Sequence, residues 1–207
     1  MNVEQMKQDV MNIDSLDFYQ KYLLGNEVWY YKNFLGKSDF SRIYDEMKRY
    51  IANKLGIHIN DIAIFGSAKI GFSLNPKKGF RDFTEKSDID IVLVSRNLFY
   101  QFWNAYLEMY SGQRYIKKYQ RVTSSLFRQF ICLDGFDDSN ERFIEWNKRA
   151  SGFQKDLQLF YDIKEHTINY RIFDSWDAVQ RYYTRNLDDL KRGYSPEGGT
   201  EENDTEN

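Results

Sequence analysis

The chain has 207 residues, 42% of them apolar and 17% aromatic, with a formal net charge of -2, so one domain with a sizeable core is expected and a largely disordered chain is excluded. A lone cysteine, Cys132, excludes an internal disulfide and the multi-cysteine zinc spacings, and it fits a reducing compartment. No apolar run approaches the ~18 residues of a membrane span, and "MNVEQMKQDVMNIDSL" lacks the order of a signal peptide, so a cytoplasmic protein without membrane contact is expected.

From Asp14 to about Leu55 apolar residues recur at helical intervals, as in Leu16, Tyr19 and Leu23 and again in Phe40, Ile43, Tyr44, Met47 and Ile51. Two helices are predicted, the second capped by Ser38 or Asp39 and closed by Gly56. A strand follows over Ile62 to Phe65, then a long loop, a second strand over Ile89 to Val94 and a helix near Leu98 to Tyr110. Beyond Gly112, "RYIKKYQRV" reads as helical, "LFRQFICL" as a short strand or buried helix, and Phe143 to Tyr161 as mostly helical. "HTINYRIF" is a strand by its β-branched and aromatic content, and "SWDAVQRYYTRNLDDLKR" is a helix with Ser175 as its N-cap.

These elements make an α/β sheet flanked by helices: a helical part over 1–56, a sheet over 57–112 and a mostly helical part over 113–194. The last segment, "SPEGGTEENDTEN" over 195–207, holds five acids and no base and has the composition of a disordered tail. Without it the chain carries 29 bases against 26 acids, so the folded part is mildly basic.

The stretch "IAIFGSAKIGFSLNPKKGFRDFTEKSDIDIVLVS" carries the chemistry. Side chains alternate along a strand, so Asp88 and Asp90 point the same way while Ile89, Ile91 and Leu93 point the other. Two like charges so placed repel unless a cation lies between them, and a hard divalent cation prefers such oxygen ligands. Gly66 and Ser67, at the end of the preceding strand, offer a backbone that a phosphate can approach, a hydroxyl and exposed N–H groups. Magnesium, or manganese, held by Asp88 and Asp90 would bridge to a nucleoside triphosphate.

This order of strand, Gly-Ser, loop and Asp-Ile-Asp strand resembles the signature of the DNA polymerase beta-like nucleotidyltransferase superfamily over about Ile62 to Val94. The resemblance implies a nucleotidyltransferase-type mixed sheet, with Gly66 and Ser67 as the triphosphate-binding turn and Asp88 and Asp90 as the first two metal-binding carboxylates. It implies transfer of a nucleoside monophosphate to a hydroxyl acceptor, whether a protein, a nucleotide or an RNA end, with release of pyrophosphate. A small bacterial stand-alone enzyme, ATP-binding and of defence or toxin–antitoxin type, is the analogy.

Two departures from that signature stand out. Twenty residues separate Ser67 from Asp88, an enlarged loop whose Lys77, Lys78 and Arg81 either reach phosphate or only keep the loop solvated, while Lys69 follows the turn as a further phosphate ligand. A flexible lid, mobile when empty, is expected there. The third carboxylate of the superfamily is missing from "TINYRIF", where Asn169 stands. Asp134, Asp156 and Asp162 are the candidate substitutes, and a catalytically inactive nucleotide-binding or antitoxin-type module is the alternative reading. In "RYIKKYQR" four bases and two tyrosines make either a nucleic-acid or phosphate surface with stacking rings or a solvated helix face. Core or surface roles are expected for His58 and His166, a buried inert thiol for Cys132, and core packing for Trp29, Tyr30 and Tyr31.

Overall fold

The computed structural model describes residues 2–137 and 140–194, so the acidic tail expected over 195–207 lies outside the described residues. A four-stranded mixed sheet runs in the order β1 (Ile62–Phe65), β2 (Ile89–Val94), β4 (Ile168–Phe173), β3 (Phe130–Ile131). β1 and β2 are antiparallel, β2 and β4 parallel, and β3 and β4 antiparallel. The sheet is therefore not confined to 57–112: the part over 113–194 supplies two of its strands. β2 beyond Asp90 is oily on both sides, with Ile89, Ile91, Val92 and Leu93 fully buried, because helices cover it.

The helices of the centre follow the apolar spacing. α3 (Phe40–Leu55) buries Ile43, Tyr44, Met47 and Ile51 and ends at Gly56, whose left-handed φ of 67° closes it as predicted. Its N-terminus differs from expectation: Asp39 is the cap residue but makes no cap hydrogen bond, because its carboxylate pairs with Arg42. α5 (Arg96–Ser111) starts at Ser95, whose Oγ accepts from the Leu98 amide at 3.3 Å. α6 (Tyr119–Phe127) takes only the second half of "RYIKKYQRV", and α7 (Glu141–Phe160) supplies the long crossover segment before β4. α8 (Trp176–Tyr194) begins where Ser175 Oγ accepts from the Ala178 amide at 3.3 Å, the predicted cap.

At the N-terminus the periodicity misled. α1 (Val3–Asn12) lies before the first predicted helix, and the segment after α2 (Ser15–Phe18) widens into π-type turns over Tyr19–Leu23 and Tyr30–Phe34. The Leu35 amide reaches five residues back to the Tyr30 carbonyl at 2.9 Å. This wider turn lets the consecutive rings of Tyr30 and Tyr31 both enter the core, their centroids 5.3 Å apart. The two ends of the described chain are tied together: Ser15 bonds Asp188 at 2.5 Å, and Lys191 donates to the Ile13 carbonyl at 2.7 Å.

Among the described residues no helix is long and apolar enough to cross a membrane.

Candidate active site

The register brings the two halves of the sequence pattern together. Phe65, the last residue of β1, lies opposite Asp90, and Asp90 lies opposite Asn169 on β4. Gly66 then turns the chain with φ 67° and ψ -152°, a conformation open to glycine alone, and leads into the short helix α4 (Ser67–Ile70). A Cβ on Gly66 would stand 2.6 Å from Asp90 Oδ2. The backbone of the turn and the carboxylate are thus in contact, with no room for a side chain between them.

Asp88 is exposed just ahead of β2, and a buried imidazole fixes its position. His166 Nδ1 donates to the Ser87 carbonyl at 2.8 Å, and the His166 ring sits among Tyr30, Phe34 and Phe83 at centroid distances of 5.2, 5.9 and 5.3 Å. The Ile89 amide also bonds the Thr167 carbonyl at 2.9 Å. The segment carrying Asp88 is therefore clamped to the start of β4.

Asp90 has a partner that the sequence reading missed. Arg171 Nη2 lies 3.3 Å from Asp90 Oδ1, and Arg171 Nη1 donates to the Tyr182 hydroxyl at 2.7 Å. The guanidinium also lies 5.8 and 5.6 Å from the ring centroids of Phe130 and Tyr182. Strand alternation carried the signal: Arg171 is two residues beyond Asn169 and so shares its side of β4. The Asp90 charge and the Tyr182 hydroxyl hold Arg171 protonated against the burial that opposes it.

Two cavities meet at the acids. A smaller one, about 530 Å³, is lined by Gly66, Ser67, Lys77, Lys78, Arg81, Asp88 and Asp90. Of the residues the sequence assigned to metal and triphosphate, Lys69 alone does not line it. Lys69 is a correction: α4 turns its side chain inward, where it is 1% exposed and its ammonium donates to the Gly25 carbonyl. Burial, reinforced by the Lys48 charge, lowers its pKa to about 8. Tyr183, from α8, adds a group that sequence did not single out. Its hydroxyl is buried beside the same cavity without a hydrogen-bond partner, and its ring packs 4.5 Å from Phe65.

The enlarged loop is more ordered than a free lid. Ser73 N bonds the Arg81 carbonyl and Phe83 N the Gly71 carbonyl, each at 2.8 Å, so its two limbs pair as a hairpin. Phe72, Leu74 and Phe83 anchor it in the core, while the tip over Asn75–Lys78 and the returning residues Arg81, Asp82 and Thr84–Lys86 are exposed.

The larger cavity, about 1480 Å³, opens on the other side of Asp88 and Asp90 towards α6 and α7. Lys117, Lys118 and Arg121 of "RYIKKYQR" line it, whereas Tyr119 lines a separate surface hollow.

Asp82 and Asp189 also line the smaller cavity, but they pair with Lys7 and Arg192. Among the described residues no three of His, Cys, Asp and Glu gather as a metal cluster. Asp134 pairs with Arg121 at 2.9 Å, Asp162 with Lys37 at 2.9 Å, and Asp156 accepts from the Tyr50 hydroxyl. His58 accepts from the Asn60 amide in a surface turn, and Cys132 is a buried free thiol.

Compared with protein-family models, curated proteins and solved structures, the chain matches none.

Proposed function

We propose that the protein is a metal-dependent nucleotidyltransferase, moving a nucleoside monophosphate from a triphosphate to a hydroxyl acceptor with release of pyrophosphate. The observation that carries this reading is the contact between the Gly66 turn and Asp90 within one cavity that also holds Asp88, Ser67, Lys77, Lys78 and Arg81. A sheet needing only stability would not place two carboxylates at a cavity mouth beside a glycine that no other residue can replace.

The donor set fits one hard divalent cation, magnesium or manganese, arriving with the triphosphate. Asp88 and Asp90 would hold it, with Asn169 offering an amide oxygen opposite Asp90. Such a cation supplies Lewis acidity at the phosphate and charge for the leaving pyrophosphate. The chain's own groups do the rest. Backbone N–H groups after Gly66 and the Ser67 hydroxyl bind phosphate oxygens, and Lys77, Lys78 and Arg81 neutralise the distal phosphates. The Tyr183 hydroxyl, without a partner in the protein, is a ready donor to the same group. Arg171 orients Asp90 and offsets its charge.

That same pair favours a second reading. With Asn169 opposite Asp90 and Arg171 engaged on it, the site also suits a nucleotide-binding or antitoxin-type module without turnover. Incubation with each α-labelled triphosphate and magnesium, alone and with total RNA or lysate, separates the two. Label transferred to an acceptor and lost in Asp88→Asn supports the enzyme; metal-dependent binding without transfer supports the module.

A further inference from the structure

The larger cavity is oversized for the small molecule that the triphosphate side would take. Its volume of about 1480 Å³ exceeds the ~300–1,000 Å³ usual for small-ligand pockets. Its rim is basic: Lys117, Lys118, Arg121, Arg128 and Lys148 come from α6, its lead-in and α7. Arg121 and Lys118 share Asp134, at 2.9 and 3.7 Å, but among the described residues Lys117, Arg128 and Lys148 have no carboxylate partner. Its floor is aromatic, with Phe143, Tyr170 and Tyr182 partly open to solvent. The acids at its inner end, Asp88 and Asp90, are the ones that line the triphosphate side.

From this juxtaposition we infer that the cavity binds the end of a single-stranded nucleic acid and delivers its terminal hydroxyl to the acids. Phosphates track the basic rim by charge, which needs no sequence. Ring faces on the floor stack on bases, and only unpaired bases expose theirs along a strand, so single strands are preferred over duplex. A folded acidic protein would match the charge but would leave the recessed rings unused. The inference rests on the transferase reading for the role of the strand as acceptor; binding itself stands apart from it.

Binding is therefore tested without chemistry. Fluorescence anisotropy of a labelled 12-nucleotide single strand, its duplex and an acidic peptide is measured in EDTA, without triphosphate, at several salt concentrations. The single strand is expected to bind at least tenfold tighter than the duplex, with a log–log salt slope of about -2 for three phosphate contacts. Combined Lys117→Glu, Arg128→Glu and Lys148→Glu should weaken it tenfold or more. These side chains are exposed, and an unchanged melting temperature confirms folding. Arg49→Ala with Lys54→Ala, exposed on α3 and lining neither cavity, should leave oligonucleotide affinity within twofold. Equal binding of strand and duplex, indifference to the charge reversals, or binding of the acidic peptide alone would each overturn the inference. Strand binding without label transfer would keep the cavity assignment and remove the transferase reading; transfer to another acceptor without strand binding would do the reverse.

Discussion

Asp88 and Asp90 look equivalent in the sequence and differ in the fold. Among the described residues Asp88 is exposed and makes no ion pair, whereas the Asp90 side chain is 18% exposed and paired with Arg171. Removing Asp90 strands a half-buried guanidinium, so Asp90→Ala should cost about 1–3 kcal/mol of stability, while Asp88→Ala should change the melting temperature little. Equal effects in thermal unfolding without metal would contradict the pairing. Tyr183→Phe should have opposed effects: deleting an unpartnered buried hydroxyl stabilises the fold by up to about 1 kcal/mol, yet triphosphate affinity should fall because a phosphate donor is lost. A variant both more stable and equally tight in calorimetry would remove Tyr183 from the site. Lys69 gives a pH signature. Its folded pKa, about 8, lies below the unfolded 10.5, so below pH 8 the folded state carries a buried charge in full. As pH rises from about 8 to 10.5 the unfolded chain binds more protons than the folded one, and stability rises. Wild type should therefore gain on Lys69→Met across that window, by up to about 1.4 kcal/mol per pH unit; denaturant midpoints whose difference is flat between pH 7 and 10.5 would refute it.

At the level of elements, the loop between the glycine turn and the acids has a pinned base and a free tip. Gly71 holds φ 92°, and a Cβ there would stand 2.8 Å from the Trp29 ring. Gly71→Ala should thus destabilise the domain by about 1–3 kcal/mol through backbone strain and a ring that must move. Hydrogen exchange should show the limbs around Phe72 and Phe83 protected without nucleotide, with protection gained on nucleotide binding only near the tip at Asn75–Gly79. Uniform fast exchange over 72–83 would restore the freely mobile lid expected from the sequence. Both central strands, helix α8 with its serine cap and the Gly56 stop were legible because each rests on a local rule: an apolar or β-branched run, a serine hydroxyl, a left-handed glycine. The hairpin was not, since Phe72↔Asp82 pairing depends on Trp29, Phe34 and Tyr30 arriving from elsewhere in the chain. Nor were the π-type turns, whose wider pitch mimics a slipped helical period. Lys69 was misplaced because a four-residue helix rotates it from the cavity into the core, a rotation that spacing alone does not encode.

For the whole molecule, the candidate site is a meeting of distant segments. The β1 turn and β2 were readable as one local motif, but Arg171 and Tyr183 join only because β4 runs parallel to β2 after a long crossover. The mouth that results sets Asp88 and Asp90 among bases, its other two acids, Asp82 and Asp189, being paired with Lys7 and Arg192, and this fixes the sign of its response to metal. In EDTA the Asp88 carboxylate repels a triphosphate while Lys77, Lys78 and Arg81 attract it, so binding should be weak but measurable. If magnesium is held as proposed, the same carboxylate serves as a ligand, and affinity should rise. Neutralising it must then act in opposite directions. Asp88→Asn should bind triphosphate more tightly than wild type in EDTA, by up to about tenfold for one charge at contact range in a partly solvated site. In magnesium it should bind more weakly, because a charged carboxylate ligand is replaced by a neutral amide oxygen. Both shifts should shrink as salt rises, the EDTA one more, since an exposed charge is screened and a coordinated one is not. Calorimetry of both proteins in both buffers decides it: a change of the same sign with and without magnesium would mean that Asp88 acts on the nucleotide by charge or by fold alone, and that no cation is held there.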